Sequence, residues 1–236
     1  MGTLPLSDRP VFNRVILALR PEAQAFIASR VQTRAIEAGM VLKEENDPLT
    51  HAIFPQLGIL SMMAEMKDGR TVEKASIGNE GFVGFTYLMG GSSAVSRTVV
   101  QVSGYASWLS IEDLEEAMSR FVCFREAMLR YAKALIVQLM ETVACNSLHT
   151  AEQRVSGWLL MANDRMQGGS FNLTQEALGR ALALRRATIS EISSDLLRDG
   201  AISYSRGQVT VLDRDRLHAH ACECYDRIAS AQLPPG

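Results

Sequence analysis

The sequence is short of most features that announce a specialised chemistry. Aromatic residues make up 6% of its 236 positions, and Lys plus Arg (24) nearly balance Asp plus Glu (26). That balance excludes a protein that coats nucleic acid through its whole surface field, so any contact with DNA has to come from local charge. Four cysteines are too few for the disulfide framework of a small secreted domain, and reduced thiols in a cytosol are the expectation. Long apolar runs are missing too: the longest lies around Ala134–Val137, against the roughly 18–20 residues that a membrane span needs. Asp8, Arg9 and Arg14 interrupt the stretch Met1 to Arg20, where a signal peptide would place its apolar region. A cytoplasmic protein without membrane contact is expected. Low-complexity, disordered and collagen-like chains are excluded by an ordinary composition, 47% hydrophobic and 21% charged. The length suits one large domain or two small ones.

What is present is a pattern that changes period along the chain. From Pro10 to about Ser29, Val11, Val15, Ile16, Leu19, Ala23, Phe26 and Ile27 recur at helical spacing. From about Val31 to Leu109 the period falls toward two, punctuated by Gly39, Asn46-Asp47-Pro48, Gly58, Asp68-Gly69, Gly78, Gly81, Gly90-Gly91 and Gly104. Asp68-Gly69, between Ile59–Met66 and Thr71–Ile77, predicts a hairpin closed by a type I′ turn, because such a turn needs positive φ and glycine supplies it. Many short strands at this spacing predict a small barrel or jelly-roll-like β-roll. At Ser110, a good N-cap with Asp113 beside the positive helix end, the period returns to 3.6. It continues to about Met166, with interruptions near Arg120 and near Asn146–Thr150.

Within Phe124–Ala144 the charges Glu126, Arg130, Lys133 and Glu141 form one narrow stripe, and most of the remaining circumference is apolar. A helix apolar over so much of its surface is covered on two sides. A monomer core helix is one arrangement. A homodimer seam is the other, and Met128, Tyr131, Leu135, Thr142 and Cys145 approximate heptad spacing for it.

After Gly168-Gly169, Thr174 is placed to cap a short helix, with Leu173 packing on Leu178 as a hydrophobic staple. The turn Ala183-Leu184-Arg185 leads to a second helix, Arg186–Arg198, stopped by Asp199-Gly200. Two strands, Ala201–Tyr204 and Gln208–Leu212, flank Ser205-Arg206-Gly207. This is the plan of a winged helix-turn-helix. Gly179 lets the helices cross closely, and Leu184, Ile189 and Ile192 lie beneath the second helix. Ala183 stands where most such motifs have glycine. With the second helix in a major groove, Arg185, Arg186, Thr188, Ile189 and Glu191 reach base edges, while Thr174, Gln175, Ser205 and Arg206 hold phosphates.

The order of these parts, with the stretches Ile77-Gly78-Asn79-Glu80-Gly81-Phe82-Val83-Gly84, Ala144-Cys145-Asn146-Ser147-Leu148-His149 followed by Glu152-Gln153-Arg154, and Leu173 to Gly200, resembles the Crp/Fnr family of transcription regulators over essentially the whole chain. The tail Ala221-Cys222-Glu223-Cys224-Tyr225 is similar to that of a bacterial subgroup with no assigned effector. The resemblance implies an α+β chain with three parts: a cyclic-nucleotide-binding-like sensory β-roll with flanking helices over 1–120, a dimerisation helix over 121–148, and a winged helix-turn-helix DNA-binding domain over 149–236. It implies a homodimer on palindromic double-stranded DNA that regulates transcription by contact with, or exclusion of, RNA polymerase.

It does not supply an effector. In members that bind cyclic nucleotides, a Glu after the roll's Gly takes the ribose hydroxyl and an Arg-Ser pair takes the phosphate. Here Gly84 is followed by Phe85, and Arg97-Thr98 is the candidate pair. Phe85 cannot accept the ribose hydrogen bond, which argues against cyclic AMP. Clustered N-terminal cysteines, the mark of iron–sulfur relatives, are missing before Cys123. His51 has no motif around it that would make it a haem ligand.

His218, His220, Cys222 and Cys224 alternate, and each is able to bind zinc or copper. On a continuous helix His218 shares a face with Cys222, and His220 with Cys224, so the four do not converge unless the helix unwinds. Plain packing is expected, and no metal or cofactor is assigned. An enzyme is not indicated: Gly78–Gly84 lacks the Lys-Ser/Thr of a P-loop, and no histidine lies in a nucleophile motif. The rival is a ligand-binding or protein-interaction module whose winged helix contacts protein rather than DNA. The ten basic and ten acidic residues from position 151 onward favour that rival.

Overall fold

The computed structural model describes residues 10–234; Asp8 and Arg9 lie outside them. The first apolar period is divided between α1 (Arg14–Leu17) and α2 (Pro21–Arg30) rather than forming one helix. Pro21 has no N–H for the preceding turn and its fixed φ suits a first helical position, so a new helix starts there. Asn13 caps α1, accepting from the N–H of Val15 and Ile16, while its Nδ2 donates to the carbonyls of Pro55 and Gly81. A fully buried side chain is thereby satisfied on all sides.

Strands β1 (Gln32–Ile36), β2 (Val41–Lys43), β3 (His51–Glu65), β4 (Thr71–Ile77) and β5 (Arg97–Ser110) make one sheet in the order β1-β5-β3-β4, with β2 also on β5. Gln32 lies opposite Trp108 and Ile36 opposite Gly104 in an antiparallel register. Phe54 stacks on Phe82 at 5.2 Å between ring centroids, and Phe82 meets Tyr131 at 5.1 Å. A Cβ on Gly81 would lie 1.9 Å from the Tyr131 ring, so the ring keeps this position only against glycine.

Asp68-Gly69 does turn the chain between β3 and β4, but not as the expected type I′ loop. Gly69 is left-handed (φ 80) whereas Asp68 is not. The Gly69 N–H bonds the Met66 carbonyl and the Met66 N–H bonds the Arg70 carbonyl, the hydrogen-bonding of a three-residue hairpin loop with glycine at its left-handed position.

Ser110 caps α3 (Ile111–Arg120), its Oγ accepting from the Asp113 N–H at 3.0 Å. Phe121 is extended and separates α3 from α4 (Val122–Leu148). Thr150 then opens α5 (Ala151–Arg165) with a reciprocal capping box to Gln153. The remainder runs β6 (Phe171–Asn172), α6 (Gln175–Leu182), α7 (Arg186–Arg198), β7 (Ile202–Ser205), β8 (Gln208–Val211), α8 (Arg214–Ala219) and α9 (Cys224–Ala231). The wing sheet is three-stranded, β6-β8-β7. Strand β6, two residues long, is too short to leave a period in the sequence.

The chain gathers into two compact units. One runs to Leu60, resumes over Ser76–Ala134 and takes up the chain again at Gln232; the other is Ser61–Ala75 with Leu135–Ala231. The end of the β3–β4 hairpin thus groups with the C-terminal unit, where Trp158 Nε1 donates to Glu73 Oε1 at 3.1 Å.

Helix α4 differs from the expected seam. Met128, Tyr131 and Leu135 are buried within their own chain, at 0, 3 and 2% exposure, and so are not available to a second copy. Thr142 is half-buried, its hydroxyl bonding back to the Gln138 carbonyl. Cys145 turns toward Cys222, with the sulfurs 3.5 Å apart. Apolar side chains that do stand exposed are Val122, Leu129, Ile136, Leu139, Met140, Val143 and Leu148.

Candidate nucleic-acid interface

Thr174 caps α6 as its sequence position requires, accepting from the Ala177 N–H at 3.1 Å, and Leu173 and Leu178 are both buried. Gly179 marks the crossing of α6 and α7. Its carbonyl accepts the Leu184 N–H at 2.9 Å, and a Cβ on it would lie 2.9 Å from the Leu184 carbonyl oxygen. Ala183 occupies the left-handed region (φ 52, ψ 41) where glycine would sit without strain.

On α7 the two faces separate cleanly. Ile189, Ile192, Ser193 and Leu196 are buried. Arg185, Arg186, Ala187, Glu191 and Ser194 are exposed, with Thr188 and Ser190 half-exposed. Ile189 was expected both beneath the helix and at the bases. The structure gives it the first role, at 0% exposure, and withdraws it from the second. Ala187, Ser190 and Ser194, which lie one or two turns apart on the open face, went unmarked because small side chains leave no periodic signal.

The wing carries Ser205 and Arg206 on its exposed tip, and here the two-residue loop with both φ positive does occur, at Arg206 (φ 52) and Gly207 (φ 80). Thr174 is exposed and Gln175 half-exposed at the start of α6, where free backbone N–H groups and the helix dipole favour an anion.

Charge in this half of the chain is neutral only in sum. Arg180, Arg198, Arg214, Arg216 and Arg227 are each paired with a carboxylate of Glu176, Asp195, Asp164, Asp213 and Glu141 respectively. Arg154 Nη2 donates to the Leu182 carbonyl at 2.6 Å. Among the described residues from position 151 onward, Arg185, Arg186 and Arg206 are exposed without an ion pair, and they sit on the turn, the first turn of α7 and the wing tip.

The proposed effector residues are dispersed in function. Gly84 (φ 102) opens a 3-10 helix at Phe85–Met89, and Phe85 is half-buried. Arg97 lies 3.3 Å from Glu44, which already neutralises it, and Thr98 is 1% exposed on β5. A cleft of about 670 Å³ elsewhere in the same unit is lined by Val11, Gln24, Gln56, Tyr105 and Ser107, among others. His51 bonds Thr50 Oγ1 at 3.0 Å, and burial with Lys43 and Arg34 nearby lowers its pKa.

The alternating His/Cys run is split by the break between α8 and α9. His218 Nε2 pairs with Asp226 at 2.8 Å. His220 bridges Glu152 (2.6 Å) and Asp199 (3.2 Å), joining the start of α5 to the end of α7. Burial opposes charge on His220, but the two carboxylates outweigh it and raise the pKa. Cys222 and Cys224 instead turn to Cys145 and His149, and burial together with the Cys222 thiol pushes the Cys145 thiol up to about 11.

These parts define a class: a β-roll unit, a long helix, and a winged helix-turn-helix whose unpaired arginines lie on the turn, the first turn of α7 and the wing tip. Residues 153–220 match the family described as the Crp-like helix-turn-helix domain. No curated protein matches the sequence. Among solved structures, the chain is similar to FixK2 from Bradyrhizobium japonicum, with a TM-score of 0.69 and 18% identity over 81% of this chain and 98% of that one. It is also similar to a CRP-family transcriptional regulator from Thermus thermophilus (TM-score 0.64, 16% identity, 80% of this chain and 96% of that one). A third is CLP of Xanthomonas campestris, described as a c-di-GMP-responsive global regulator (TM-score 0.62, 14% identity, 81% of this chain and 99% of that one). The chain therefore has the fold of the Crp/Fnr regulators and carries a Crp-like helix-turn-helix domain.

Proposed function

We propose that the protein is a sequence-specific DNA-binding transcription regulator that acts as a homodimer on a palindromic site. The observation that carries this is the placement of the unpaired cations. Most of the arginines in the C-terminal part are held by neighbouring carboxylates or a carbonyl, and those left free are Arg185, Arg186 and Arg206. A protein-binding wing has no need of that distribution, whereas phosphates and guanine edges do. In this reading Arg185 and Arg186 donate to bases or the adjacent backbone, Thr188 contacts a thymine methyl and Glu191 accepts from cytosine. Thr174, Gln175, Ser205 and Arg206 hold phosphates.

The dimer seam is the exposed apolar stripe of α4. Val122, Leu129, Ile136 and Val143 recur every seven residues and all stand open, with Met140 beside them. A strict seven-residue apolar repeat left open to solvent is a surface made for a second copy. Two-fold symmetry then places half-sites about one helical turn, roughly 10 base pairs, apart. The regulator would act in the cytoplasm by contact with, or exclusion of, RNA polymerase. A cyclic nucleotide is not the favoured input, because Phe85 offers no ribose acceptor and Arg97 is engaged by Glu44.

Selection from random duplex DNA with effector-free protein tests the reading. A palindromic consensus, bound with an affinity that falls steeply with salt, is the expected result; each phosphate contact contributes about 0.9 to the slope. Absence of enrichment both alone and in cell extract overturns DNA binding in favour of a protein partner.

A further inference from the structure

We propose that Cys145, His149, Cys222 and Cys224 form a structural zinc site that fastens the end of α4 to the segment between α8 and α9. Four ligand atoms, one from each residue, lie within 4.8 Å of one another. Cys145 Sγ is 3.5 Å from Cys222 Sγ, and Cys224 Sγ is 3.6 Å from His149 Nδ1. Zinc–sulfur bonds of about 2.3 Å and zinc–nitrogen bonds of about 2.0–2.1 Å set the edges of a tetrahedron at roughly 3.5–3.8 Å, so these two edges already match and the remaining ones, all within 4.8 Å, need to close by about 1 Å at most. Cys145 lies in the last turn of α4 and His149 is the first residue beyond its end, where the His149 N–H still bonds the Cys145 carbonyl at 3.1 Å and keeps the two one turn apart on the same side. Cys222 lies beyond the end of α8 and Cys224 opens α9. The loss of helix between them is what lets two cysteines at alternate positions face one point.

Support around the ligands has the form expected of a metal-binding histidine. His149 turns Nδ1 toward Cys224, and its other nitrogen, Nε2, lies 3.4 Å from Glu223 Oε2. A carboxylate on the far ring nitrogen fixes the tautomer and orients the ring for coordination. Three thiolates on a divalent ion leave one net negative charge, and the guanidinium of Arg154, whose Nε is buried without a hydrogen-bond partner, supplies positive charge beside Cys145. Three cysteines and one histidine form a closed, sulfur-rich donor set that suits zinc and leaves no position for substrate, so the role is structural. On binding, the three thiols each lose a proton to solvent, the neutral imidazole gives its Nδ1 lone pair, and no redox partner is needed.

A pairwise disulfide between Cys145 and Cys222 is the competing use of the same sulfurs, but it would leave the His149–Glu223 arrangement and the approach of Cys224 without purpose. Titration of reduced, metal-free full-length protein with cobalt(II) separates the two. The expected result is saturation near one equivalent per chain, with the ligand-field bands of tetrahedral cobalt and a thiolate-to-cobalt charge-transfer band, both bleached by zinc. Cys224→Ser and His149→Ala should lose the tetrahedral spectrum, and Glu223→Gln should weaken binding by about 10–100-fold. Cys123→Ser, outside the cluster, should leave the spectrum intact. No saturable cobalt spectrum in the wild-type chain, an unchanged spectrum in Cys224→Ser, or a thiol count two short that reductant restores would each overturn the zinc site. None of these readouts involves DNA, so the zinc site and the regulator reading stand or fall separately.

Discussion

Helices α4 and α7 both expose one face and bury the other, yet the exposed faces are of opposite chemistry. On α7 the open side carries Arg186, Ala187, Ser190, Glu191 and Ser194, small or polar residues that water tolerates. On α4 the open side carries Val122, Leu129, Ile136 and Val143, which water does not. A polar exposed face needs no partner to be stable, so its purpose shows only in its charges. An apolar exposed face implies a partner directly, because leaving it wet forfeits roughly 25 cal/mol per Å². In the proposed reading this difference is what gives the two helices two kinds of partner, nucleic acid for α7 and a second copy for α4.

The contrast is most sharply tested within α4 itself, where neighbours 135 and 136 fall on either side of the boundary between buried and open surface. Leu135 is 2% exposed and Ile136 49%. Leu135→Glu buries an unpaired charge and should destabilise the fold by more than about 4 kcal/mol, visible as loss of the cooperative melt. Ile136→Glu should keep the melt and sediment as a monomer. A variant at 136 that stays dimeric in sedimentation would move the seam off this stripe.

On α7 the next effect is smaller and concerns specificity. Arg186→Ala should lose about 1–3 kcal/mol of discrimination at one base position. Arg206→Ala should weaken binding evenly across sequences and reduce the salt slope by about 1. If competition assays show the two variants losing the same thing, the division between base reading on α7 and phosphate holding on the wing is wrong.

The smallest effect lies in the turn that aims α7. Ala183 is left-handed, which costs an L-residue roughly 1–2 kcal/mol, while glycine's added backbone entropy offsets part of the relief. Ala183→Gly should therefore stabilise by about 1 kcal/mol in denaturant melts with the selected consensus unchanged. A loss of stability would mean that the Ala183 methyl makes contacts worth more than the strain.

Much of this was legible locally. Ser110 and Thr174 cap helices, Phe121 falls at the anticipated break near Arg120, and Gly179 sits where α6 meets α7. Turn type was less secure. Aspartate-glycine and arginine-glycine both turn a hairpin, but the two-residue form with both φ positive is adopted by Arg206-Gly207 and not by Asp68-Gly69. The number of loop residues follows from strand register, which a dipeptide does not specify.

The amino-acid order by itself determined the periods, the caps, the helix-turn-helix spacing and so the class of fold, because each of those rests on residues within about a turn or two of one another. Which of several apolar stripes on α4 would be covered by its own chain was left to the tertiary structure: a helix apolar over most of its circumference offers heptads on more than one side. The grouping of Cys145 and His149 with Cys222 and Cys224 was likewise invisible, since the first sulfur contact joins residues 77 apart and depends on α8 ending where it does. Short-range hydrogen bonding writes itself into sequence; the choice of which faces meet is made by packing, and only the folded chain records it.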